Sequence, residues 1–173
     1  MPQTDDTLRR YYAACGMTIR AWAKLESVLT LYVKALLEVD PNRARIVWCA
    51  IPRLDLRLDL LRQLSATYLD AQGIKDLEKL LRRVNTLAEW RDLVTQSSGG
   101  VDSQSGKAIF LSDARGVDGS GSFGRQTYTL EQMEAWPADI ATLELELLRW
   151  LPAFTNLVHA TPKALRAGGT GKL

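Results

Sequence analysis

Hydrophobic residues recur at steps of three and four along the first part of the chain, from about Thr7 to Glu38. Steps of this size place apolar side chains on one face of an α-helix. The sequence therefore predicts a long, amphipathic first helix. Its apolar positions are Leu8, Tyr11, Cys15, Ile19, Trp22, Leu25, Leu29, Tyr32, Val33 and Leu36.

Proline and glycine divide the region that follows into further helices. Asp40 before Pro41 is typical of a helix N-cap with proline at the first helical position. Pro52 should break or kink this second helix, which resumes in the leucine-rich segment after it. Gly73 separates that segment from a third helix, expected from Lys75 to about Gln96.

The composition changes after the third helix. Residues 97–106, SSGGVDSQSG, are expected to form a loop because of their serine, glycine and aspartate content. The segments KAIFLS (107–112) and FGRQTYT (123–129) predict two short strands of a β-hairpin. The tip of this hairpin, from Asp113 to Gly121, is a candidate protein-binding surface.

The last helical region begins at a sequence signature of a capping box, Thr129 with Gln132. Trp136-Pro137 should kink or split this helix. Together the elements predict an all-α fold, a bundle of four or five helices with a small β-hairpin inserted before the last helix at about residues 98–128. We expect one domain over residues 1–160 and a polar, flexible tail over residues 161–173.

Composition and charge limit the chemistry. The 173 residues carry 22 Lys plus Arg, 20 Asp plus Glu and one His, with a formal net charge of +2. This balance argues against a strongly basic nucleic-acid arm. A single histidine excludes His-based metal cages and most acid–base machinery unless His159 itself acts, and we expect His159 at a helix C-terminus. The sequence predicts no metal and no cofactor.

The two cysteines, Cys15 and Cys49, lie in apolar stretches without a CxxC pattern and are expected to be buried free thiols. The polar N-terminus and the absence of a long apolar run predict a cytoplasmic protein with no membrane partner. The segment GGVDSQSGKA is not a phosphate-binding P-loop, since Val101 replaces the first glycine and Ala108 follows Lys107.

The third helix holds the main candidate site. Stepped at about 100° per residue, Arg91 falls near the middle of the apolar face of this helix. A second, wholly polar stripe follows the helix at i, i+4, i+7 and i+11; its members are Asn85, Glu89, Asp92 and Gln96. An arginine on an apolar face is costly unless it is paired, so Arg91 needs an explanation.

Three interpretations of Arg91 follow. It could pair with a buried carboxylate, with Glu26 as the candidate because Glu26 interrupts the apolar character of the first helix. It could line a cleft at a subunit interface. It could contact a phosphate ligand, which suits the fork geometry of a guanidinium group.

The segment RRVNTLAEWRDLVTQSS (82–98) resembles the motif helix of the HEPN (higher eukaryotes and prokaryotes nucleotide-binding) superfamily. Family members show an apolar helix, then Arg, a polar residue, a few further residues and His, often followed by Gly. The segments WAKLE, RARIVWCAIPRLDLRLDLL and TYTLEQMEAWPADIATLELELL are similar to other helices of the bacterial branch. The resemblance covers about Leu8 to Leu151.

By this resemblance, Arg91 matches the family arginine and Asp92 the polar residue after it. Gln96 stands where the family histidine is expected, and Ser97 where the glycine is. What the resemblance implies about activity is metal-independent RNA cleavage, which in family enzymes is attributed to Arg and His at a dimer cleft. Gln96 can form hydrogen bonds but cannot take up or release a proton near neutral pH. The resemblance therefore implies the fold and a homodimer more strongly than nuclease activity.

Three functional hypotheses remain open. The first is a catalytically degenerate HEPN-like dimer that binds RNA or a nucleotide or acts as a regulator, in a defence or toxin–antitoxin setting. The second is an active, metal-independent endoribonuclease that uses Asp92, Glu89 or His159 as a non-standard acid–base group. The third is a purely protein-binding helical module, such as a phage counter-defence factor, that uses the hairpin tip and an exposed Trp90.

Overall fold

The computed structural model describes residues 2–115 and 121–160. These residues form five α-helices and one three-stranded antiparallel sheet, which lies before the last helix in the chain. The predicted mostly helical chain with a hairpin before its last helix is confirmed at this level. The elements are α1 (Pro2–Leu37), α2 (Pro41–Ala50), α3 (Leu54–Ser65), α4 (Ala71–Gln96), β1 (Ser98–Val101), β2 (Ala108–Arg115), β3 (Gly121–Tyr128) and α5 (Leu130–Ala160).

The start of α2 follows the predicted capping pattern. The Oδ1 atom of Asp40 accepts hydrogen bonds from the backbone amides of Asn42 at 2.9 Å and Arg43 at 3.1 Å. Pro41 occupies the first helical position, where its missing N–H costs nothing. Pro52 lies between α2 and α3, so the predicted break is confirmed.

The third helix of the sequence analysis, expected from Lys75 to about Gln96, is α4 in the structure, and its expected start was wrong. The helix begins at Ala71, and Asp70 caps it by accepting a hydrogen bond from the backbone amide of Gly73 at 2.8 Å. Gly73 is therefore inside the first turn and does not separate two helices. The carboxylate of Asp70 satisfies an otherwise unpaired amide of the first turn, which favours this earlier start.

The sheet has one strand more than the predicted hairpin. Strands β2 and β3 pair antiparallel with Ala108 opposite Tyr128, as expected for a hairpin. Residues 97–106 were expected to be a loop, but Ser98–Val101 form β1, which pairs antiparallel with β2, with Ser98 opposite Leu111; residues 102–106 form the turn between the two strands. Backbone pairing overrides the loop-like composition of this segment. Part of the hairpin tip, residues 116–120, lies outside the described residues, as does the predicted tail at 161–173.

The capping box of α5 is confirmed. The backbone amide of Thr129 donates to Gln132 Oε1 at 2.8 Å, and the amide of Gln132 donates to Thr129 Oγ1 at 3.2 Å. The sequence predicted a kink or a split at Trp136-Pro137; the split was wrong, because α5 continues through both residues, and the kink stays a prediction. Proline removes one backbone hydrogen bond, while the burial of Trp136 and Ile140 on the same helix stabilises the segment.

The described residues fall into two compact units. We call the first, within Met1–Lys24 and Thr86–Thr142, the sheet unit, and the second, within Leu25–Asn85 and Leu143–Leu173, the helical unit. The expectation of a single domain over residues 1–160 stays a prediction. One buried hydrophobic cluster of the sheet unit is formed by Tyr11, Ala14, Leu93, Ala108, Phe110, Leu130, Met133 and Trp136. Fully buried side chains of the helical unit include Leu25, Leu29, Tyr32, Leu58, Leu61, Leu81, Leu143, Leu147 and Phe154.

Candidate functional site

The guanidinium group of Arg91 lies over the indole ring of Trp22, within the sheet unit. Its central carbon is 5.0 Å from the ring centroid. Trp22 is 3% exposed, and the side chain of Arg91 is 25% exposed. A guanidinium group at this distance from an indole face makes a favourable cation–π contact. The contact holds the charged end of Arg91 against α1, while the side chain as a whole stays partly exposed.

Asp92 lies beside Arg91 but does not satisfy its inner N–H group. The Nε atom of Arg91 is 3.0 Å from Asp92 Oδ1. The geometry is nevertheless not that of a hydrogen bond, and this buried Nε–H has no acceptor among the described residues. Adjacent side chains on a helix diverge by about 100°, so the carboxylate approaches from the side. Arg91 therefore keeps a donor that an additional acceptor could take.

Gln96 joins this pair through Asp92. Its Nε2 atom donates to Asp92 Oδ1 at 3.3 Å, across one helical turn. The structure thus brings together Arg91, Asp92 and Gln96, the three positions of the motif that the HEPN resemblance implies. Their functional roles stay predictions.

The other two residues of the predicted polar stripe are placed differently. Glu89 is exposed in the sheet unit. Burial raises the pKa of the Tyr128 hydroxyl, and the charge of Glu89 raises it further, so Glu89 and Tyr128 interact. Asn85 is exposed and belongs to the helical unit. The described site therefore consists of Arg91, Asp92 and Gln96, with Glu89 on the same helix.

Glu26, the candidate carboxylate in one of the three interpretations of Arg91, pairs with another arginine. Glu26 accepts a hydrogen bond from Arg57 Nη1 at 2.8 Å, inside the helical unit. Arg57 is only 17% exposed, lies 5.3 Å from the centroid of Trp48 and donates from Nε to the carbonyl of Ile51 at 2.7 Å. Its pairing depends on how α3 and α1 meet, which the pattern of either helix does not specify.

Two further surface predictions need correction. Trp90 is half-buried and stacks on Trp136 with 5.4 Å between ring centroids and 13° between the ring planes, so it is not an exposed docking aromatic. Cys49 is exposed and Cys15 is partly buried, and both are free thiols. Cys49 was expected to be buried, but α2 buries only Ala44 and Trp48.

Other predicted groups lie as follows. His159 is exposed in the last turn of α5, as expected, and belongs to the helical unit. Within residues 2–115 and 121–160, no group of three or more His, Cys, Asp or Glu side chains could hold a metal ion. No helix in the same ranges is long and apolar enough to cross a membrane.

Comparison of the chain with models of protein families, with curated proteins and with solved structures finds no match to any of them. The HEPN resemblance therefore remains an interpretation of the residues quoted for it.

The chemistry of Arg91 suits the binding of an anion. Arg91, Asp92 and Gln96 include no histidine that could transfer a proton. A guanidinium group stacked on an indole, with an unsatisfied N–H, is suited to a phosphate or carboxylate oxygen. Sequence reasoning missed Trp22, which it counted only as part of the apolar stripe. No signal near either residue could have paired Trp22 with Arg91, because they lie on different helices far apart in the chain.

Proposed function

We propose that this chain is a catalytically inactive, HEPN-like homodimer that binds RNA or a nucleotide phosphate through Arg91 and acts as a regulator. The observation that carries the proposal is the buried Nε–H of Arg91, which has no acceptor among the described residues although Asp92 lies 3.0 Å away. The defence or toxin–antitoxin setting rests on the resemblance alone.

The energetics of Arg91 support ligand binding. A buried donor without an acceptor costs about 1–3 kcal/mol. A phosphate oxygen would remove this cost and form a charge-assisted hydrogen bond, which is stronger than a neutral one. The contact with Trp22 already restricts the guanidinium group, so less side-chain entropy is lost on binding. The carboxylate of Asp92 competes with an anion and should keep the affinity moderate.

The chemistry of Gln96 supports an inactive site. Its amide is held against Asp92, at the position five residues after Arg91 where the resemblance implies a histidine. An amide neither accepts nor releases a proton near neutral pH. The loss of a general acid–base group typically lowers a rate by about 10²–10⁴-fold.

The binding test uses fluorescence polarisation of a labelled single-stranded RNA with the wild-type chain, Arg91→Ala, Arg91→Lys and Arg20→Ala. Arg20 is an exposed cation on α1 of the same unit and serves as the matched control. We expect Arg91→Ala to weaken binding about tenfold or more, as is usual for hydrogen bonds to charged groups. Arg91→Lys keeps the charge but not the fork geometry of the guanidinium group, so its affinity should lie between those of the wild type and Arg91→Ala. Equal binding by Arg91→Ala and Arg20→Ala would contradict the proposal.

The cleavage test incubates the wild-type chain with RNA in the presence of a chelator. We expect no cleavage. Cleavage that disappears in Arg91→Ala would show instead that the chain is a metal-independent endoribonuclease with a non-standard acid–base residue. Sedimentation at micromolar concentration tests the homodimer, and a monomer there would contradict that part of the proposal.

A further inference from the structure

A second group of cations lies in the helical unit, where α4 and α5 border a cleft of about 410 Å³. It is separate from Arg91, which belongs to the sheet unit. Its lining combines three cations, two carboxylates, one leucine and one aromatic ring: Lys79, Arg83, Arg149, Asp76, Glu146, Leu80 and Trp150.

One carboxylate of this cleft, Glu146, pairs with one of the three cations and is influenced by the charges of the other two. Arg83 forms an ion pair with Glu146. The hydrogen bond from Arg83 holds the pKa of Glu146 below its usual value, and the charges of Lys79 and Arg149 lower it further. Neither Lys79 nor Arg149 lies within ion-pair distance of a carboxylate among the residues that the structure describes. Two of the three cations are thus available to an anion from solution.

The positive charge continues along α4 beyond the cleft. Lys75, Lys79 and Arg82 are spaced at i, i+4 and i+7, which places them on one helix face. They line an adjoining groove together with Asp76. Arg82 is 3.5 Å from Glu78, which also pairs with Arg62. Cations outnumber carboxylates along the cleft and groove, so this surface attracts anions.

Trp150 gives the cleft a rigid aromatic wall. Its ring lies 6.0 Å from that of Tyr32, with 30° between the planes, and 5.3 Å from that of Phe154. Both neighbours are fully buried, and Tyr32 donates from its hydroxyl to the carbonyl of Leu147 at 2.7 Å. Trp150 itself is half-buried. A fixed, partly open indole next to cations is the combination that binds a nucleobase and its phosphate.

We propose that this cleft binds a nucleotide unit, with the phosphate at Lys79 and Arg149 and the base against Trp150. A free nucleotide and single-stranded RNA both supply this chemistry. The aromatic wall favours them over an acidic peptide, which would need the cations but not the ring. The inference does not depend on the proposed function of Arg91.

The test is made on the full chain carrying Arg91→Ala, so that the remaining binding is assigned to the cleft. Fluorescence polarisation with a labelled single-stranded RNA measures the affinity of this variant. The same measurement is made after two further substitutions, Lys79→Glu and Arg149→Glu, which we call the cleft pair. The matched control, called the control pair, adds Lys34→Glu and Arg45→Glu to the Arg91→Ala variant instead. Lys34 and Arg45 are exposed cations of the same unit. Circular dichroism establishes that each variant is folded.

We expect the cleft pair to lose about tenfold or more in affinity and the control pair to lose much less. Replacing Trp150 with Leu should weaken binding about fivefold or more, while Trp150→Phe should retain most of it, because a phenyl ring still stacks a base. Displacement of the RNA by AMP would assign the cleft to single nucleotides, and binding of RNA without displacement by AMP would assign it to the polymer.

Equal affinity of the cleft pair and the control pair would overturn the inference, as would the absence of any binding in the Arg91→Ala background. Poly-glutamate that displaces the RNA, together with unchanged binding in Trp150→Leu, would overturn it in favour of an acidic peptide. If Arg91→Ala has no effect in the wild-type background while the cleft pair loses binding, the cleft inference stands and the proposed role of Arg91 fails.

Discussion

Arg91 and Trp22 lie on different helices, and the guanidinium carbon of Arg91 is 5.0 Å from the ring centroid of Trp22. This contact fixes the direction of the guanidinium group on a helix whose neighbouring positions are largely apolar. A second contact of the same kind joins Arg57 and Trp48 at 5.3 Å in the helical unit. Among the described residues two arginines lie over tryptophan rings in this way. Of these two arginine side chains, only that of Arg91 has a buried N–H without an acceptor.

Trp22→Phe should weaken RNA binding at Arg91. A phenyl ring attracts a cation less than an indole does, so the guanidinium group becomes less restricted. We expect a loss of about two- to fivefold, which corresponds to ~0.5–1 kcal/mol of cation–π energy. Trp48→Phe is the matched control, since Trp48 is equally buried but lies under Arg57. Equal losses of affinity in the two variants would contradict a specific role for Trp22.

Gln96→His should create metal-independent RNA cleavage. The amide of Gln96 lies within hydrogen-bond distance of Asp92, so a histidine at this position would stand beside the Asp92 carboxylate, five residues after Arg91 on the same helix. A positioned general acid–base group contributes about 10²–10⁴-fold in rate. Cleavage of a labelled RNA with chelator present measures the gain. The double variant Gln96→His with Arg91→Ala should be inactive, and failure of the single variant to cleave in spite of a native fold would weaken the HEPN resemblance.

Gly99→Ala should destabilise the sheet unit. A Cβ atom at this position would overlap the hydroxyl of Tyr11 and lie 3.0 Å from a ring carbon of Phe110. Both rings are buried and cannot move freely, so the substitution overpacks the core. We expect the free energy of unfolding to fall by about 1–3 kcal/mol, measured by urea denaturation. Gly100→Ala is the control, because a Cβ atom there meets nothing within 4 Å.

The ion pairs of Arg10 should make stability depend on pH in the acidic range. Arg10 donates from Nε to Glu134 at 2.8 Å and from Nη2 to Glu131 at 3.1 Å. The pKa of Glu134 is lowered mainly by the hydrogen bond from Arg10, and that of Glu131 by a backbone hydrogen bond and then by Arg10. A carboxylate with a lowered pKa in the folded state stabilises the protein above its unfolded pKa of about 4.3.

This stabilisation should be lost as the pH falls below about 4.3 and through the lower pKa values of the folded state. Thermal unfolding at a series of pH values measures it. Glu134→Gln should have a lower melting temperature than the wild type at neutral pH, and the difference should shrink towards pH 3. Glu144→Gln is the control, as Glu144 makes no ion pair among the described residues. A difference that stays constant with pH would contradict the assignment to Glu134.

Elements whose signals are local could be predicted from the sequence. The N-cap at Asp40, the break at Pro52 and the capping box of Thr129 and Gln132 each involve residues two or three positions apart, so the pattern contains both partners. The helical period of α1 and α4 is local in the same sense. The prediction was wrong where two local signals disagreed. Gly73 indicated a break between helices, but Asp70 caps the helix and α4 begins before Gly73.

The contacts that shape the site were decided only by the tertiary structure. Strand β1 exists because its backbone pairs with β2, although its glycines are typical of a loop. Helical periodicity by itself placed Arg91 on an apolar face of its helix. The absence of a histidine at position 96 has meaning only through the HEPN resemblance. That Trp22 covers Arg91, and that Glu26 is taken by Arg57, depends on how each helix is rotated against its neighbour. This rotation is set by the packing of many side chains together, and no single helix carries it in its own sequence.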